Sequence, residues 1–134
     1  MAFADRAFSL ALLLAASALA TPTVHAAEPK GDALFATHCA ACHGIDGEGG
    51  GPVASAMKVT MPNLRTLAKR NGGVFPADAV AAYIDGRDQV ASHGDRLMPV
   101  WGDFLQQPGD KDDQEAVRAR IAALVAFIER LQYR

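Results

Sequence analysis

Apolar positions recur at helical spacing most clearly near the C-terminus. Val117, Ile121, Leu124, Ile128 and Leu131 follow one another at steps of four, three, four and three. Such a stripe is the buried face of an amphipathic helix, and Phe127 widens it. Asp112 and Glu115 are spaced as a capping box at its start, with Asp where Ser or Thr is usual. Farther back, Leu34, Phe35 and His38 share related faces of a helix expected over about Gly31 to Ala41. Asn63 is placed to cap a short helix from about Leu64 to Arg70, ended by Asn71-Gly72-Gly73. Pro76 suits the first turn of another helix, which runs to about Asp85 and stops at Gly86. The five glycines from Gly44 to Gly51 make that stretch a loop whose backbone can lie close to a flat group. No convincing strand pattern occurs, so the expected class is all-α.

The first residues follow a different pattern. Arg6 and the amino terminus form a weakly positive start, and Ala7 to Ala20 are an uncharged apolar run of 14 residues. Val24-His25-Ala26 then supplies small residues at cleavage spacing. Residues 1–26 therefore read as a secretory signal peptide, leaving one domain over 27–134. A retained anchor is the competing reading. At about 1.5 Å per residue the run reaches roughly 21 Å, short of a roughly 30 Å hydrocarbon core. The expected mature chain is exported, periplasmic and without a membrane span.

Lys and Arg number 13 against 15 Asp and Glu, a formal net charge of −2. The near-neutral total hides a mildly basic middle, with Lys58, Arg65, Lys69, Arg70, Arg87 and Arg96. It also hides an acidic loop over 106–113. No basic stripe carries interleaved aromatics, which argues against a nucleic-acid partner.

Chemistry concentrates in Cys39-Ala40-Ala41-Cys42-His43, which uses both cysteines of the chain. C-x-x-C-H is the arrangement for covalent haem attachment. The two thiols form thioethers to the haem's two vinyl groups, and the imidazole that follows ligates iron. A thioredoxin-like pair would sit near a βαβ pattern, and a zinc site needs a second ligand pair. A disulfide is feasible in an oxidising compartment but leaves His43 without a reason. One covalent haem c is the expected cofactor, held by Cys39, Cys42 and His43.

Four side chains compete for the other face of the iron: Met57, Met61, Met98 and His93. A lone methionine is more often core filler than ligand. Met98, however, lies between two glycines in Gly94 to Gly102, and Pro99 stiffens the chain beside it. A stiff loop holds a weak thioether ligand at little ordering cost. Trp101 adds an apolar plate with one N–H suited to a haem propionate. Met61, next to Pro62, is the second candidate, and His93 would give a bis-histidine iron of lower potential.

Taken together, these motifs resemble the class I monohaem cytochromes c of bacteria. Met98-Pro99-Val100-Trp101-Gly102 is similar to the M-P-x-W-G segment of that family, where the methionine is the distal ligand. Gly31 and Phe35 precede Cys39 by eight and four residues, as the family's glycine and aromatic do, and their counterparts match Leu124 and Phe127. The resemblance implies a cytochrome c-like fold of short helices wrapped around one haem. Its first and last helices cross, with Gly31 allowing close approach and Phe35 near Phe127. It also implies Met98 and His43 as the metal ligands. Pro52, nine residues after His43, becomes the carbonyl that accepts the ring N–H, and Pro62-Asn63-Leu64 lines the pocket. The acidic loop over 106–113 departs from the family pattern.

Iron ligated by His43 and Met98 has no open position for a substrate. The implied function is electron transfer between redox proteins, not catalysis. The basic residues of the middle region are expected to steer those partners by charge. A stable cytochrome subunit of a periplasmic dehydrogenase or oxidase needs the same site, so monomer and subunit both stay open. A haem enzyme or gas sensor would need Met98 unbound. Short helices and glycine loops give only a modest core, so the haem-free chain is expected to be largely unfolded.

Overall fold

The computed structural model describes residues 30–88, 97–108 and 114–134. The leader over 1–26, His93 and Asp112 of the expected capping box lie outside these residues. Among the described residues there is no strand, and the helices are α1 (Gly31–His38), α2 (Ala40–His43), α3 (Leu67–Arg70), α4 (Ala77–Asp85), α5 (Trp101–Phe104) and α6 (Gln114–Arg130). Single 3-10 turns cover Ala54–Ala56 and Leu64–Thr66. The all-α class expected from the sequence is therefore the one observed among these residues.

The centre of the fold is the crossing of α1 and α6. The stripe on α6 faces inward as its spacing requires: Val117, Ile121, Leu124 and Ile128 are buried, with Val125 beside them. Phe35 of α1 is fully buried in the same cluster, and its ring stands 5.1 Å from that of Phe127, tilted by 46°. That separation is within the range of favourable tilted aromatic pairs. Ile84 of α4 and Leu105 after α5 complete the cluster.

The helix expected over Gly31 to Ala41 divides at Cys39, whose φ and ψ are −115° and −36°. The break leaves the backbone paired there. Cys39 N–H still donates to Phe35 O at 2.9 Å, and Cys39 O accepts from His43 N at 2.9 Å. The other boundaries follow their local signals. Asn63 caps as expected, its Oδ1 accepting from Arg65 N at 2.9 Å, although the first turn it starts is 3-10 and becomes α3 only from Leu67. Helix α4 stops at Gly86, whose φ of 72° is the left-handed conformation that glycine adopts without strain.

The glycine loop has a different role from the one its composition suggests. A helix end leaves its last carbonyls without intrahelical partners, and here the loop supplies them. Ala40, Ala41, Cys42 and His43 O accept from Gly44, Val53, Gly51 and Gly49 N at 2.8–3.2 Å. A β-carbon on Gly51 would lie 2.3 Å from Ala41 O, and one on Gly49 would lie 2.6 Å from Met61 O. These glycines are needed for close approach to the chain's own backbone. Leu64 N then donates to Gly47 O at 2.8 Å, so the loop ties α2 to the Met61–Leu64 segment.

A second tie closes the C-terminus onto that segment. Gln132 Oε1 accepts from Ala68 N at 2.9 Å, and its Nε2 donates to Leu64 O at 2.8 Å. Arg65 donates to Glu48 Oε1 at 2.9 Å and lies over the Tyr133 ring, whose hydroxyl meets the same carboxylate at 2.6 Å.

Candidate haem site

The C-x-x-C-H motif occupies the break after α1 and the whole of α2, so its three donors sit on one short, well-capped turn. Cys39, Cys42 and His43 are all half-buried, and neither cysteine is in a disulfide. They open onto two adjoining apolar cavities of about 170 and 360 Å³. The first is walled by Cys42, Met57, Met61 and Trp101, the second by Phe35, Leu67, Val80 and Ile128. Cys39, His43, Pro62, Tyr83 and Met98 line both.

Burial favours the neutral form of both Cys39 and His43. It pushes the Cys39 thiol up to about 12, with nearby Cys42 adding to the effect. It also lowers the His43 imidazole below its ordinary value, while the Pro62 backbone partly opposes this. Neutral imidazole is the form that binds a metal. His43 Nδ1 is buried and makes no hydrogen bond of normal geometry. A buried, unpaired ring nitrogen costs free energy unless something compensates it. Two reduced thiols, an imidazole and a thioether on the walls of an apolar cleft form a donor set suited to covalent haem.

Most site residues expected from the sequence are brought together here. Met98 is half-buried and reaches both cavities, whereas Met57 and Met61 line only the first. Trp101 lines the first cavity, and its ring packs against His38 at 5.4 Å and Phe104 at 6.0 Å. His93 lies outside the described residues. Pro52 is not brought in: it is exposed on the loop and lines neither cavity. The backbone that acts on the His43 ring is that of Pro62. The physical reason is the glycine loop, which spends its own hydrogen bonds on the carbonyls of α2 and carries Met61–Leu64 to the imidazole.

Tyr83, about half exposed on the lip shared by both cavities, was not anticipated. Its position on α4, one residue before buried Ile84, is the signal that marks it as a boundary residue. Two of the basic residues of the middle region are paired with carboxylates. Arg65 is held by Glu48, and Arg87 is paired with Asp85 through Nε–Oδ1 at 2.6 Å and Nη2–Oδ2 at 2.7 Å. Lys58, Lys69 and Arg70 remain exposed, and Arg96 lies outside the described residues.

No curated protein and no solved structure matches the chain significantly. A family model does: the one described as Cytochrome c matches residues 29–132, which include the cysteine motif, both cavities and all of α6. A fold that is helical and strand-free among the described residues, a C-x-x-C-H turn and an apolar cleft agree with that match, and the chain belongs to the cytochrome c family, whose haem is attached covalently.

Proposed function

We propose that this cytochrome c is a class I monohaem electron carrier of the periplasm, with iron ligated by His43 and Met98. One observation supports the reading most: His43 and Met98 line the same pair of cavities together with Cys39. Cys39 and Cys42 would hold the haem as thioethers, and His43 and Met98 would ligate its iron. Bound there, haem supplies a one-electron iron couple.

The chain's own residues account for the rest. Were His43 and Met98 both to ligate the iron, no open site would be left for a substrate, which favours a carrier over an enzyme. Methionine ligation and an apolar lining both favour the ferrous form and so raise the potential. Phe35, Leu67, Val80 and Ile128 provide that lining and keep water from the buried side. The periplasmic assignment, with residues 1–26 removed, rests on the leader-like pattern of the sequence.

Optical titration of the ferric protein tests the ligand pair. A weak red charge-transfer band reports methionine sulfur on ferric iron, and Met98→Ala is expected to abolish it. Survival of the band in Met98→Ala would transfer the role to Met61 or Met57. Its absence from the parent protein would remove the His/Met reading.

A further inference from the structure

Helix α5 starts three residues after Met98, with Pro99 between them, so wherever α5 sits the methionine must follow. Three separate elements fix that short helix. Beneath it, Arg87 makes a two-pronged ion pair with Asp85 at the end of α4, with Nε–Oδ1 at 2.6 Å and Nη2–Oδ2 at 2.7 Å. The same guanidinium donates through Nη1 to Gln114 Oε1 at the start of α6. Above the pair lies Gly102, buried within α5, where a β-carbon would stand 2.3 Å from both Arg87 Nε and Asp85 Oδ1. At the far end, Arg120 of α6 donates to Leu105 O at 2.9 Å. The Trp101 ring also packs against His38 of α1, with ring centroids 5.4 Å apart.

We propose that the Asp85–Arg87 pair, seated under Gly102, is a positioning clamp that presses the Met98 segment toward the iron. The inference rests on Met98 being the distal ligand. Thioether sulfur is a weak donor to ferric iron, so its hold depends on how little the loop can move away. Arg87 is suited to this work because a planar guanidinium grips a carboxylate in one orientation. Both partners are only about a quarter exposed, with side-chain exposures of 26% and 25%. The pair is therefore screened less than a surface bridge. Neither residue touches the haem cleft, since neither Asp85 nor Arg87 lines the two cavities. Their effect would pass through α5.

Imidazole competes with methionine for ferric iron and gives the test. Holoprotein is titrated with imidazole while the red methionine band is followed. Arg87→Ala and Gly102→Ala are each expected to bind imidazole about tenfold more tightly than the parent, the change that loss of one charge-assisted bond produces. The ferric reduction potential should fall with them. Arg65→Ala serves as control, because it removes a comparable ion pair on the C-terminal tie away from α5. It is expected to lower global stability and leave imidazole affinity unchanged. Parent-like affinity in both Arg87→Ala and Gly102→Ala would overturn the clamp, as would an equal gain in Arg65→Ala. A parent protein without the band would overturn the ligand assignment and the clamp with it.

Discussion

Gly31 lies against Ala123 so closely that a β-carbon on it would stand 2.0 Å from the Ala123 carbonyl oxygen and 3.0 Å from Phe127 Cβ. This contact sets how near α1 and α6 can cross. Because Cys39 follows Gly31 by two turns of helix, the crossing also sets where the haem-attaching turn points.

Gly31→Ala separates two opposing effects. Alanine gains at most about 1 kcal/mol of helix propensity over glycine. Forcing a methyl group into packed backbone costs about 3 kcal/mol. The second effect wins, and the ferric holoprotein should lose about 2 kcal/mol in urea unfolding. An unchanged or higher midpoint would show that the helices separate without cost.

Two adjacent glycines of the loop should behave oppositely. A β-carbon on Gly50 meets nothing within 4 Å, whereas one on Gly51 would lie 2.3 Å from Ala41 O and 2.5 Å from Ala40 O. Gly50 is also absent from the positive-φ glycines. Gly50→Ala is expected to be neutral or to add up to about 1 kcal/mol through the unfolded chain. Gly51→Ala should cost about 3 kcal/mol. Equal melting temperatures for the two variants would mean that the loop does not cap α2 in solution.

Much of this fold is readable from local signals, and its failures are non-local. The α6 stripe, the Asn63 cap and the Gly86 stop depend on neighbouring residues, and each is where the pattern puts it. The break at Cys39 is not legible in the sequence, because nothing in the residue types around it interrupts helical spacing. The family resemblance points to Pro52 by its spacing from His43, but which backbone acts on the ring depends on how the glycine loop folds back on α2, and it is that of Pro62. The Asp85–Arg87 pair was equally hidden. Its residues are two apart, a spacing with no meaning on a helix face, and its seat is a glycine from another segment.

The thiols give a pH-dependent test of whether the fold survives without haem. In the folded conformation, burial and then Cys42 push the Cys39 thiol up to about 12 from 9.0. A raised thiol pKa means that the folded state holds the proton more tightly. That contribution to stability is full below about 9 and fades as pH rises toward about 12. Since thiolate is the nucleophile, a folded haem-free chain would keep Cys39 nearly unreactive at about pH 8. The modest core predicts the opposite: both cysteines of the haem-free chain should alkylate together at the rate of an unstructured peptide. Selective protection of Cys39, read by peptide mass after brief alkylation, would show that the cleft forms before haem is attached.

The charge pairing narrows which cations can steer a redox partner. Lys58 is exposed between Met57 and Val59, which line the first cavity, and exposed Arg70 lines the second. Arg65 faces Glu48 and Arg87 faces Asp85, so their fields are largely cancelled at a distance. Steering by exposed charges weakens beyond the Debye length, about 8 Å at physiological salt. Electron transfer to an acidic partner should therefore slow as ionic strength rises, and Lys58→Gln or Arg70→Gln should flatten that dependence. Arg65→Gln should not, because removing a neutralised cation exposes Glu48 without taking charge from the cavity rim. Stopped-flow rates across a salt series distinguish the cases. A slope insensitive to both Lys58→Gln and Arg70→Gln would place the docking surface elsewhere on the molecule, away from the cleft that Cys39, His43 and Met98 share.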